Sequence, residues 1–151
     1  MRILVVDDYG VVRTGVRALL EADPEIEVCG EAIDGLDAIA KARELLPDAV
    51  VMDVSMPNLS GIEATRELVS LYPQIRVVML SQHDFPHIMQ QALNAGACAY
   101  VVKSAANTDL LKALKERTAS PKASIYGSRR TDTKMEEILR RSAALEAALR
   151  E

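Results

Sequence analysis

The sequence contains no tryptophan, one phenylalanine and two cysteines. With so few aromatics, any core must be aliphatic, filled by Leu, Ile, Val, Ala and Met. Cys29 and Cys98 belong to no CxxC or Cys/His spacing, which argues against a zinc site. Each falls in an apolar run and reads as a small core hydrophobe. There is no excess of positive charge: the net charge is −4. Bulk electrostatic binding to nucleic acid is therefore disfavoured, although a local basic patch stays open. Long hydrophobic runs are also missing. No segment approaches the roughly 18 apolar residues that span a bilayer. The opening stretch Met1–Asp8 is too short for a signal peptide and ends in two acids. A soluble, cytoplasmic chain that avoids membranes is expected. Nearly half of the 151 residues are hydrophobic, enough for one packed domain with an appendage.

What the chain does contain is alternation. Ile3–Val6 is a short apolar run closed by Asp7 and Asp8. Val11, Val16, Leu19 and Leu20 then recur at helical spacing. Ile26–Ala32 is the next strand candidate. Ala38, Ile39, Ala42, Leu45 and Leu46 form a helical stripe stopped by Pro47. Ala49–Met52 is wholly apolar and ends in Asp53, as expected of a strand covered on both faces. Pro57 and Gly61 punctuate a loop before the stripe Ile62, Thr65, Leu68, Val69 and Tyr72. Ile75–Leu80 is a fourth strand, closed by Ser81. A helix from Ile88 to Ala95 is capped by Gly96, and Ala97–Val102 is a fifth strand, closed by Lys103. Asn107 or Thr108 is expected to cap the helix carrying Leu110, Leu111 and Leu114.

Five strand–helix repeats predict an α/β fold with a doubly wound parallel sheet, of order 2-1-3-4-5. Its functional crevice lies beyond the strands' carboxyl ends, between strands one and three, where the order reverses. This domain is expected over residues 1–117. Residues 118–131, rich in Ser, Lys and Arg and without periodicity, read as a linker. Residues 132–151 read as an amphipathic helix, opened by a capping box at Thr133–Glu136. Its stripe is Met135, Ile138, Ser142, Leu145 and Leu149. That helix suits a coiled coil, a homodimer contact or the start of a further module.

Polar residues gather at the strand ends: Asp7 and Asp8, Asp53, Ser81 and Lys103. Each alone has an ordinary explanation at a solvent-facing strand end. Together, at one end of one sheet, they make a site. Crowded carboxylates either take up protons or bind a cation. An all-oxygen set without nearby His or Cys favours a hard ion, Mg2+ or Mn2+. Such an ion suits phosphoryl transfer, where neutralising charge and positioning do most of the catalysis. Asp53, a single acid after an apolar strand, is the best nucleophile. Carbonyls of the loop after it can face the metal. Lys103 can pair with phosphoryl oxygens, and Ser81 can donate a hydrogen bond to another.

The set Asp7-Asp8, Asp53 with Met56-Pro57 and Gly61, Ser81, and Ala95-Gly96-Ala97 leading to Tyr100–Lys103 resembles the receiver domains of two-component response regulators. The likeness covers roughly residues 2–116. Val12-Arg13-Thr14-Gly15 and Lys103-Ser104 are most similar to the NarL/LuxR type. The resemblance implies a phosphorelay switch with Asp53 as phosphoacceptor. Asp8, Asp53 and the Ser55 backbone carbonyl would ligate Mg2+, and Asp7 would hold a metal-bound water or add a ligand. Ser81 would be the switch hydroxyl, Lys103 the phosphate-pairing cation and Tyr100 the switch aromatic. Ser55 and His83 would flank the path of the attacking water and tune the lifetime of the phosphorylated state. The implied partner is a sensor histidine kinase or a histidine phosphotransfer protein. No enzymatic turnover is implied beyond the domain's own phosphorylation and dephosphorylation. Two departures stand out. Ser104 follows Lys103 where many receivers have Pro, and no helix-turn-helix pattern follows, so direct DNA binding is not expected of this chain.

Other classes fit less well. A flavin-binding protein of this fold needs a Gly/Ser/Thr-rich loop after strand one, and Asp7-Asp8-Tyr9-Gly10 would repel phosphate. A dehalogenase-like phosphatase needs a second acid two residues after the nucleophile, where Ser55 stands. A degenerate receiver acting as a phosphorylation-independent interaction module is the alternative that keeps the fold.

Overall fold

The computed structural model describes residues 1–116 and the backbone of a short strand at 124–126. The strands are β1 (Arg2–Val6), β2 (Glu27–Ala32), β3 (Ala49–Asp53), β4 (Arg76–Ser81), β5 (Ala99–Val102) and β6 (Ser124–Tyr126). The helices are α1 (Gly10–Glu21), α2 (Gly35–Leu45), α3 (Gly61–Leu71), α4 (Pro86–Asn94) and α5 (Ala106–Lys115). The sheet order is β2-β1-β3-β4-β5-β6, and every pairing is parallel. The expected 2-1-3-4-5 order is present, with a sixth strand beyond it.

That strand corrects part of the linker reading. Ser124, Ile125 and Tyr126 pair with Ala99, Tyr100 and Val101. Three residues are too short to show a period of two, and the pairing is non-local, so local pattern gave no sign of it. The rest of the expected linker beyond Glu116, and the expected terminal helix with its capping box, lie outside the described residues.

Alternation along each strand divides the core in two. Ile3, Val5, Val51, Val78, Leu80 and Val101 face one side, where Val16 and Leu20 of α1 and Leu110 and Leu114 of α5 cover them. Leu4, Val6, Val50, Met52, Val77, Met79 and Tyr100 face the other, under α2, α3 and α4. The central strands are wholly buried because helices cover both faces. Cys29 and Cys98 are only partly buried.

Local chemistry sets the element ends. Asp34 caps α2 by accepting from the Asp37 N–H at 2.7 Å, and Ser60 caps α3 by accepting from the Glu63 N–H at 3.2 Å. Pro86 opens α4, where its missing N–H costs nothing. The start of α5 differs from expectation. A 3-10 turn, Lys103–Ala105, runs straight into it, so Asn107 and Thr108 fall inside the first turn. Thr108 donates instead to the Ala105 carbonyl at 3.1 Å.

Candidate functional site

Four strand ends converge at the switch point between β1 and β3. Asp7 and Asp8 follow β1, Asp53 ends β3, Ser81 ends β4, and Lys103 follows β5. The site is seated by Gly61. A Cβ there would lie 1.8 Å from the Asp53 carbonyl oxygen, so only glycine lets α3 start this close to the end of β3. The Gly61 N–H donates to the Val54 carbonyl at 2.9 Å, closing the loop after Asp53.

Ligand atoms of Asp7, Asp8 and Asp53 lie within 4.8 Å of one another. Asp7 and Asp53 are buried. The Lys103 ammonium stands 2.9 Å from Asp7 Oδ2 and 3.4 Å from Asp53 Oδ1. The other Asp7 oxygen, Oδ1, accepts from the Tyr9 N–H at 2.9 Å. Asp8 Oδ1 is buried with no hydrogen-bond partner among the described residues. Among the described residues, one lysine thus pairs with two of the three acids, and an oxygen of the third has no partner.

The electrostatics follow from that imbalance. Burial, and then the neighbouring charges of Asp7 and Asp8, push the Asp53 carboxyl up to about 6, against the opposing pull of Lys103. Burial alone would lower Lys103. The hydrogen bond to Asp7 and the charge of Asp53 outweigh it, so the ammonium is held above its ordinary value. The residues present suit a hard divalent cation: the donor set is all oxygen, one oxygen lacks a partner, and the positive charge is insufficient.

Asp8, Tyr9, Asp53, Ser55, Ser81, Gln82, His83 and Lys103 line one cleft of about 180 Å³. Ser55 and His83 therefore line the site. Tyr100 does not line it. The phenol is buried among aliphatic side chains, and its hydroxyl donates to the His83 carbonyl at 2.7 Å. The His83 N–H in turn donates to Ser81 Oγ at 3.1 Å. Ser81 and Tyr100 are thus joined through one residue of the loop after β4. Burial raises the phenol above its ordinary value. The peptide bond after Lys103 is trans, like every other described here, and the ammonium still reaches both acids.

Tyr9 and Gln82 belong to the lining although no motif marked them. Arg13 stands out in the sequence only through the family likeness, yet its guanidinium donates to the Asp7 carbonyl at 2.7 Å. A side-chain bond to a backbone oxygen leaves no charge pattern in a sequence.

Known proteins agree with this architecture. Residues 3–115 match the family described as the response regulator receiver domain. The chain is 40% identical over 115 residues to the response regulator GacA of Pseudomonas viridiflava, covering 76% of this chain and 54% of that protein. It is 39% identical over 116 residues to VraR of Staphylococcus epidermidis, covering 77% and 56%. The chain thus spans about half the length of the curated relatives it matches. Among solved structures, the receiver domain of the response regulator NarL from Mycobacterium tuberculosis superposes with a TM-score of 0.72 at 34% identity, over 75% of this chain and 91% of that one. The receiver domain of RcsB from Salmonella enterica, determined with the phosphomimetic BeF3−, gives 0.71 at 29% identity, over 76% and 85%. The chain belongs to the response-regulator receiver-domain family of two-component systems, with relatives of the NarL/LuxR type.

Proposed function

We propose that this chain is a phosphoacceptor switch that takes a phosphoryl group on Asp53 with the help of Mg2+. The supporting observation is the charge imbalance: of three carboxylates within 4.8 Å, Asp7 and Asp53 share the Lys103 ammonium, and a buried Asp8 oxygen has no partner among the described residues. Asp8 and Asp53 would hold the cation together with the Ser55 carbonyl. Asp7, whose two oxygens already serve Lys103 and the Tyr9 N–H, suits a water-mediated contact. A bound Mg2+ supplies positive charge that offsets the charge on the transferring phosphoryl oxygens.

The residues of the chain do the rest. An Asp53 carboxylate oxygen attacks the donor phosphorus, and the bond to the donor breaks as the acyl phosphate forms. With its carboxyl near 6, Asp53 is mostly ionised at neutral pH and available as a nucleophile. Lys103 moves its hydrogen bonds from the acids to the phosphoryl oxygens. Ser81 donates a hydrogen bond from its hydroxyl to another phosphoryl oxygen. The Ser81–His83–Tyr100 linkage carries that rearrangement into β5. His83, at the rim of the cleft, affects how water reaches the acyl phosphate. The donor is a histidine kinase or a histidine phosphotransfer protein.

Incubation with acetyl phosphate and Mg2+ tests this. The intact protein should gain the mass of one phosphoryl group, and Asp53→Asn should gain none. No gain in the wild type, or a gain that survives Asp53→Asn, would count against Asp53 as the phosphoacceptor.

A further inference from the structure

We propose that Arg13 is a positioning residue for the cation site, acting through the turn that carries Asp7 and Asp8. The inference rests on the reading of those acids, with Asp53, as a divalent-cation site. Arg13 lies on the first turns of α1, and its side chain is only 19% exposed. Nη1 donates to the Asp7 carbonyl oxygen at 2.7 Å, and Nε donates to Glu31 Oε1 at 3.1 Å. One planar guanidinium thus spans two strands: Glu31 belongs to β2, and Asp7 follows β1.

The far end of this clamp is itself fixed. Arg17 donates to the second Glu31 oxygen at 3.1 Å, and the Lys41 ammonium of α2 holds the Glu31 carbonyl at 2.9 Å. The Asp7 N–H donates to the Ala32 carbonyl at 3.1 Å. Every polar group of Asp7 is therefore engaged: its N–H by β2, its carbonyl by Arg13, and its carboxylate by Tyr9 and Lys103. Asp8 comes next in the chain with a buried, unpartnered oxygen. Fixing the Asp7 peptide fixes where that oxygen points before any cation arrives.

Without Arg13, the Asp7 carbonyl loses its charged donor, and the turn must be ordered when the cation binds. Groups that orient metal ligands in this way typically change metal affinity by about 10–100-fold when removed. Glu31 keeps Arg17 as an ion-pair partner when Arg13 is removed, so no unpaired carboxylate is left there to attract the cation. Arg17 provides the control. It joins the same network through Glu31 and Glu21, but it is 43% exposed and makes no bond to Asp7. Lysine at position 13 keeps the charge but cannot span both oxygens as the fork does.

Mn2+ binding, read from loss of the free-ion electron paramagnetic resonance signal, tests this on the full chain. Wild type, Arg13→Ala, Arg13→Lys and Arg17→Ala would be titrated after circular dichroism shows that each is folded. Arg13→Ala should bind about tenfold more weakly, Arg13→Lys should fall between it and wild type, and Arg17→Ala should stay within about twofold of wild type. Phosphorylation by acetyl phosphate should then need more Mg2+ in Arg13→Ala, yet reach a near wild-type rate at saturation. If Arg13→Ala does not fold, Arg13→Lys against Arg17→Ala carries the comparison. Unchanged affinity on loss of Arg13, or an equal loss in both arginine variants, overturns the positioning role. Failure of the wild type to bind Mn2+ would instead overturn the cation-site reading.

Discussion

Replacing Asp53 by Asn should stabilise the metal-free protein, and the gain should depend on pH in a defined way. Burial and the charges of Asp7 and Asp8 raise the Asp53 carboxyl from 3.8 to about 6. The folded state therefore holds a proton that the unfolded state releases between those values. Stability falls with rising pH wherever the folded state binds more protons. The wild type should lose stability from about pH 4 to pH 6 through this group, and the loss should be complete above that. At 1.36 kcal/mol per pH unit the displacement corresponds to about 3 kcal/mol. Screening through the cleft mouth reduces this to about 1–3 kcal/mol. Asparagine is nearly isosteric and carries no charge, so it escapes the penalty. Other carboxylates, such as Asp23 and Asp34, are held below their ordinary values. They push stability the opposite way at acid pH. The difference between Asp53→Asn and wild type cancels them. Urea unfolding from pH 4 to pH 8 without divalent ions should show that difference near zero at pH 4 and rising to a plateau by about pH 7. Mg2+ should then narrow the gap by stabilising the wild type more than the variant. A variant that is less stable than wild type at pH 7, or a difference independent of pH, would refute the reasoning.

Gly61→Ala should cost more than about 3 kcal/mol, or prevent folding, because its Cβ would sit 1.8 Å from the Asp53 carbonyl oxygen; urea unfolding measures it. Tyr100→Phe leaves the His83 carbonyl without its 2.7 Å donor and should lower stability by about 1–2 kcal/mol, read from the unfolding midpoint at constant slope. Lys103→Ala should weaken beryllofluoride binding at saturating Mg2+ by at least tenfold, since it removes the ammonium beside Asp53; calorimetry that finds wild-type affinity would remove its phosphate-pairing role. His83→Ala should change the half-life of phospho-Asp53, because the residue lines the cleft, and an unchanged decay rate would dismiss it.

The fold was legible because its signals are local and repeated. Runs such as Ala49–Met52 are apolar throughout, as a strand buried on both faces must be. The stripe Ala38–Leu46 stops at Pro47, which cannot continue a helix. The acids and Lys103 were legible because each closes an apolar run, and the parallel topology brings all strand ends to one side. What stayed hidden depends on contacts distant in sequence. β6 is three residues long and exists only by pairing with β5. The start of α5 was misplaced because a 3-10 turn does the work expected of an Asn107 or Thr108 cap. Arg13 acts on a backbone oxygen, so its role appears only once β1 and α1 are in place. Tyr100 was marked by family likeness alone; its bond to the His83 carbonyl required the loop after β4 to be placed.

The most direct measurement is a crystal structure of the full chain grown with Mg2+ and beryllium trifluoride. The expected result is fluoroberyllate bonded to an Asp53 oxygen, with Lys103 and Ser81 hydrogen-bonded to its fluorines and one Mg2+ held by Asp8 and Asp53. Fluoroberyllate bound elsewhere, or Asp7, Asp8 and Asp53 pointing apart with no ion among them, would contradict the reading of this cleft as a phosphorylation site.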